Sequence, residues 1–146
     1  MIKYFACTLL AALALPVAAQ EIASQMQGTW KYLGAWSFVD VDEQGRAYQC
    51  RLDLDTNVFF ATGNVDADGS ILWTRPRFFS LYGKEVTLSN EDWGRSQAEI
   101  RGRVMFLSGP PTLWQNGTRL EYDRVPELPT LCVHYRSIAF AEGTPE

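Results

Sequence analysis

Apolar and polar residues alternate with a period of two along much of this chain. From Gln97 to Leu107, Ala98, Ile100, Gly102, Val104 and Phe106 fall on one side while Gln97, Glu99, Arg101 and Arg103 fall on the other. Such a run predicts a strand with one buried and one wet face, and Gly102 in its middle predicts a bulge or sharp bend. Cys50, Leu52 and Leu54 alternate with Arg51, Asp53 and Asp55, and Leu120 and Tyr122 with Arg119, Glu121 and Asp123, which adds half-buried antiparallel strands. Asn116-Gly117 marks a hairpin, and Gln44-Gly45 and Asp68-Gly69 mark further turns. With breakers recurring about every ten residues, the pattern predicts eight or nine short strands. A closed or nearly closed antiparallel barrel is the all-β architecture that leaves such a sheet without edges.

Helical signal is thin. Ile22 and Met26 stand four apart in Glu21–Met26, enough for one or two turns that could plug a barrel end. After the interruption by Pro126 and Pro129, Leu131 to Phe140 reads as a last strand carrying Cys132, and residues 141–146 as a frayed tail.

The beginning of the chain departs from this pattern. Lys3 precedes an apolar run from Tyr4 to Leu15, and Pro16-Val17-Ala18-Ala19 supplies small residues before Gln20. This order predicts a cleaved signal peptide over 1–19 and a single β-barrel domain over 20–146. The run is shorter than the roughly 20 residues of a membrane span, so the mature chain is expected to be secreted or periplasmic with no membrane insertion. Loss of Lys3 leaves 12 basic against 17 acidic residues, a net charge of −5, which argues against nucleic acid and anionic membranes as partners. Loss of Cys7 leaves Cys50 and Cys132, an even pair that predicts a disulfide in an oxidising compartment.

Catalytic chemistry finds little to work with. His134 is the only histidine, which excludes a multi-histidine metal site, and its neighbours place it on a strand. No Gly-x-Ser-x-Gly elbow accompanies it and no Gly-rich phosphate loop is present. The spaced pairs Asp40/Asp42, Asp53/Asp55 and Asp66/Asp68 fit wet strand faces and turns better than a calcium loop or a glycosidase pair. The chain is therefore expected to be no enzyme and to need no metal or cofactor. Aromatics are the abundant feature, with five Trp, six Tyr and eight Phe. Trp36, Phe59, Trp73 and Phe79 are the candidates for lining a cavity that takes a small apolar ligand. Arg75 and Arg77, set between Trp73 and Phe78-Phe79, read as a rim or turn. Asn116-Gly117-Thr118 also matches the N-glycosylation acceptor pattern.

Gly28-Thr29-Trp30 at the first strand and Leu120-Glu121-Tyr122-Asp123-Arg124 near the end resemble the corresponding segments of lipocalin-like barrels. The resemblance implies that Trp30 closes one end of the barrel and packs against Arg124. The chain is also similar, in size, in its one disulfide and in its Gly-x-Trp opening, to bacterial periplasmic barrels of the metalloprotease-inhibitor type. That likeness implies an N-terminal segment, here Gln20 to Gln25, that enters a protease cleft. The expected function is a non-catalytic binding module for a small apolar ligand. Protease inhibition through the N-terminal segment, or a structural role in the envelope with a protein partner, are the alternatives.

Overall fold

The computed structural model describes residues 17–53, 57–80, 85–87, 94–109 and 119–141. The leader through Pro16, Leu54 and Asp55, the Asn116-Gly117 hairpin and the tail 142–146 lie outside the described residues. A short helix, α1 (Val17–Gln25), precedes nine strands: β1 (Gly28–Tyr32), β2 (Ser37–Val41), β3 (Arg46–Asp53), β4 (Asn57–Val65), β5 (Ser70–Ser80), β6 (Glu85–Thr87), β7 (Gly94–Arg101), β8 (Val104–Ser108) and β9 (Arg119–Val125). A second helix, α2 (Thr130–Ala141), follows them.

All pairings are antiparallel, and β9 returns to β1 with Trp30 opposite Arg124. The result is the expected closed barrel, of eight strands, β1 to β5 and β7 to β9. The long β5 serves two neighbours on one edge: Ser70–Trp73 pairs with β7, and Arg77–Phe79 with β6. The turns Asp42–Arg46 and Asp66–Ser70 share one construction. In each the glycine N–H donates to the first aspartate's carbonyl, and that aspartate's N–H to the carbonyl of the fifth residue, at 2.8–3.0 Å. Aspartate oxygens cap the free N–H groups inside each turn.

The run from Gln97 to Leu107 is two strands and not one bent strand. Arg101 pairs with Val104 across a two-residue hairpin in which Gly102 carries a positive φ of 60° and Arg103 does not, the requirement of a type II′ turn. A two-residue loop exchanges the inward and outward parity, so Met105 and Leu107 face inward beside Ala98, while Phe106 faces out. Four apolar residues in a row, 104–107, hide that exchange from an alternation count.

Two apolar clusters lie on opposite faces of the β2–β5 wall. Inside the barrel, Trp30, Val39, Val41, Ala47, Phe59, Ala61, Ile71, Trp73, Met105 and Tyr122 are fully or almost fully buried. Outside it, Phe38, Tyr48, Cys50, Val58 and Phe60 pack against Leu128, Cys132, Tyr135 and Ala139. These last four explain α2: their spacing of four, three and four places them on one helical stripe, and Val133 N–H donates to the Pro129 carbonyl to open the helix. The segment Leu131 to Phe140, expected as a strand, is thus a helix, and His134 is an exposed residue on it. Its aromatic and β-branched residues favour a strand locally, but the outer face of the wall needs a cover with a helical stripe. Cys50 and Cys132 form the expected disulfide. Beside it, the Tyr48 hydroxyl donates to the Cys132 carbonyl at 3.0 Å. Burial raises the Tyr48 phenol far above its ordinary value, Arg136 partly opposes this, and Tyr135 and Asp40 add to it, so the group stays a neutral donor.

At one barrel end α1 lays Ile22 and Met26 against the inner cluster. Trp30 Nε1 donates to the Met26 carbonyl at 2.8 Å. The Arg124 guanidinium lies 4.3 Å from the Trp30 ring and donates to the carbonyls of Gln25 and Gln27, each at 2.7 Å, closing the exposed end of the helix.

Reduction of the disulfide opens a loop spanning 82 residues, and is expected to cost about 4 kcal/mol in the chain-entropy model. Urea unfolding with and without reductant measures it, and an unchanged midpoint would mean that packing alone holds α2. Arg124→Ala is expected to cost about 2 kcal/mol through two lost charge-assisted hydrogen bonds and to raise amide exchange in residues 21–26 first; a uniform rise across the barrel would contradict the local capping role.

Candidate functional site

The four aromatics expected to line one cavity do not share one. Phe59 and Trp73 point into the barrel, Phe59 with its ring 4.9 Å from Phe78 and Trp73 donating its indole N–H to Ser96 Oγ at 2.8 Å. Ser96 passes that bond on to the Gly109 carbonyl at 2.9 Å. Trp36 and Phe79 belong to the outer cluster: Trp36 meets Phe38 edge-on at 5.1 Å, and Phe79 lies 5.5 Å from Phe60 and 5.1 Å from Tyr135. The sheet itself separates the two pairs.

The inside of the barrel is filled by large rings at its centre and is not wholly apolar. Ser37, Gln49 and Arg51 are buried on the inward faces of β2 and β3, and the Arg51 guanidinium lies 5.6 Å from the Phe59 ring. Burial pushes the Tyr122 phenol well above its ordinary value; Ser37 and Arg51 oppose this and Tyr32 adds to it.

The described concavity with room for a small molecule lies outside the barrel. It is a cleft of about 330 Å³ lined by Arg46, Thr62, Gly63, Asn64, Thr74, Arg75, Ala139 and Phe140, within the size range of ligand sites. Its origin is visible along β4, whose outward residues read Val58, Phe60, Thr62 and Asn64. The first two lie under α2; the next two are polar because the helix ends above them. Ala139 and Phe140, in the last turn of α2, form one wall and the β4–β5 ladder forms the floor.

Arg46 enters the cleft from the start of β3. Its Nε donates to Asp42 Oδ2 at 2.7 Å, its own N–H donates to Asp42 Oδ1 at 2.9 Å, and its guanidinium lies 4.7 Å from the Phe140 ring. A cation there also suits the negative end of the α2 dipole. Burial by itself would raise the Asp42 carboxyl, but the hydrogen bonds and charge of Arg46, with the N–H of Gln44, outweigh it and hold the group below its ordinary 3.8. Next to the cleft, Arg136 of α2 pairs with Asp40 at 3.2 Å, and Asp40 accepts a 2.6 Å bond from Thr29.

Arg75 reaches the cleft by a different route. Phe60 pairs with Arg77 and Thr62 with Thr74, so Ala61 alone faces both Arg75 and Pro76. The extra residue makes a bulge, and Pro76, which has no N–H to leave unpaired, suits it. Arg75 has a φ of 50°, the one positive value among the described non-glycine residues. This conformation costs an ordinary side chain of order 1 kcal/mol. Arg75 is therefore neither rim nor turn but a mid-strand residue held in a glycine-like conformation, with Thr74 Oγ1 donating to the Thr62 carbonyl at 3.3 Å beside it.

The carboxylate pairs are engaged elsewhere. Asp66 pairs with Arg95, and Asp68 accepts from the Ser70 hydroxyl at 2.7 Å and from its N–H at 2.9 Å. Among the described residues no three His, Cys, Asp or Glu side chains gather to hold a metal ion. The sequence reading passed over Thr62, Asn64, Thr74 and Phe140. The readable signal was the change from apolar to polar outward positions on β4, together with Arg75-Pro76 inside an alternating strand.

No family model, curated protein or solved structure matches this chain.

Because the folded-state Asp42 carboxyl is held below 3.8, its pairing stabilises the fold above the unfolded value and that contribution is lost as pH falls through the folded one. An NMR titration of the Asp42 side chain is expected to give a midpoint below 3.8, and Arg46→Gln to move it upward; a midpoint unmoved by the substitution would remove Arg46 as the cause.

Proposed function

We propose that this chain is an exported, non-catalytic binding protein on a lipocalin-like barrel, and that it takes its small ligand in the cleft between α2 and the β3–β5 wall. One observation carries the reading: the cleft offers about 330 Å³ walled by polar and cationic groups, whereas rings of Trp30, Phe59, Trp73 and Tyr122 occupy the middle of the barrel. Specific binding needs a few convergent polar groups on a firm frame. Here two strands supply them, and a helix tied down by a disulfide supplies the wall. A disulfide also fits a chain that works outside the reducing cytosol.

The N-terminal segment favours this reading over protease inhibition. Gln20 to Gln25 is wound into α1 and its last carbonyl is bonded by Arg124, so it is not extended for insertion into a protease cleft. The site has no nucleophile paired with a base, which favours binding over catalysis.

The test is an amide-resolved NMR titration of the mature protein with small molecules extracted from the compartment to which its host exports it. Shifts centred on Thr62, Asn64, Thr74 and Ala139, abolished by the cleft-filling substitution Asn64→Trp, are expected. Shifts centred on Phe59, Trp73 and Met105 would move the ligand into the barrel and overturn the placement.

A further inference from the structure

We infer that the cleft selects oxyanions, and that the guanidinium groups of Arg46 and Arg75 receive a carboxylate or phosphate there. The inference rests on the cleft being the ligand site, and names the chemistry it accepts. Its lining contains two arginines and no acid. The C-terminal end of α2 contributes about half a negative charge, less than either guanidinium. Hydroxyls of Thr62 and Thr74 and the amide of Asn64 lie in the same lining and can donate to the oxygens that the arginines leave over. Guanidinium is the group best suited to planar, two-pronged recognition of such oxygens.

Both arginines are held in place before any ligand arrives. Arg46 is fixed along its Nε edge by Asp42 and across its face by Phe140, so little side-chain freedom is left to lose on binding. Arg75 is fixed through its backbone. At φ 50° a glycine would satisfy the bulge without strain, yet this position carries a cation whose side chain lines the cleft. Strain of this kind accumulates where a side chain is used.

The proposal separates from the general binding reading in one experiment. Uniformly labelled mature protein is titrated with inorganic phosphate, with benzoate and with the neutral benzamide, at low and high sodium chloride. Phosphate and benzoate are expected to shift the amides of Thr62, Asn64, Thr74 and Ala139 more tightly than benzamide and to weaken with salt; whichever anion binds tighter identifies the ligand as phosphate-like or carboxylate-like. Arg46→Gln and Arg75→Gly are each expected to weaken anion binding about tenfold. Arg75→Gly is also expected to melt at or above the wild-type temperature, since it relieves the backbone while deleting the charge. If benzamide binds as well as benzoate and neither substitution matters, the oxyanion chemistry is wrong and the cleft remains a site for neutral molecules. If no probe shifts the cleft amides, the binding reading falls with it. A marked loss of stability in Arg75→Gly with anion affinity intact would make Arg75 a structural residue and overturn its role.

Discussion

Burial of the β2–β5 wall on both of its faces is the constraint on which the rest of the structure depends. A closed barrel satisfies only the inward residues of its strands. Here the outward residues Phe38, Tyr48, Cys50, Val58 and Phe60 are as apolar as the inward ones, so the barrel by itself would leave a large apolar patch in water. Helix α2 answers that patch, and the disulfide and the Tyr48 hydrogen bond fix it there at its N-terminal half. The cleft follows as a by-product of length: the helix stops short of the ends of β4 and β5, and the uncovered strand positions are polar.

The opposite wall shows what happens without a helical cover. Along β7 to β9 the outward residues are charged, and the one aromatic among them, Phe106, lies between Arg101 and Arg119 at 5.6 and 3.9 Å, with Glu99 bonded to both arginines at 2.6 Å. The hydrogen bond from Arg101, and then the charges of both arginines, keep the Glu99 carboxyl below its ordinary value against a small opposing effect of burial. The barrel therefore has one wall shielded by protein and one shielded by its own charged side chains, whose long stems cover the ring.

Alternation and turn chemistry made the barrel legible from the sequence, because a period of two with Gly-containing turns admits few architectures. The places where that reading failed have specific causes. At Gly102 the turn was short enough to leave the apolar count unbroken while reversing which residues face inward. At Leu131 to Phe140 local preference for a strand was overruled by a cover that only the wall required. The stripe Leu128, Cys132, Tyr135 and Ala139 was present all along, but its first member lies beyond Pro129, where the strand reading had stopped. The aromatic candidates were legible as buried residues but not as a group, since which side of the sheet each faces depends on the register and on the bulge at Ala61, and neither is visible from composition.

The distance along the chain between the two cysteines also orders events during synthesis. Cys50 lies in the third strand and Cys132 in the last helix, with six strands made between them. Emerging from its N-terminus, the chain carries a lone thiol on the outer face of an unfinished sheet until almost every element has appeared. During that interval Cys50 is open to mixed disulfides with other molecules and to the enzymes that exchange them. Formation of the native bridge is thus a completion signal: it reports that the last helix has arrived, and a nascent chain that stalls earlier remains chemically distinguishable from a finished one.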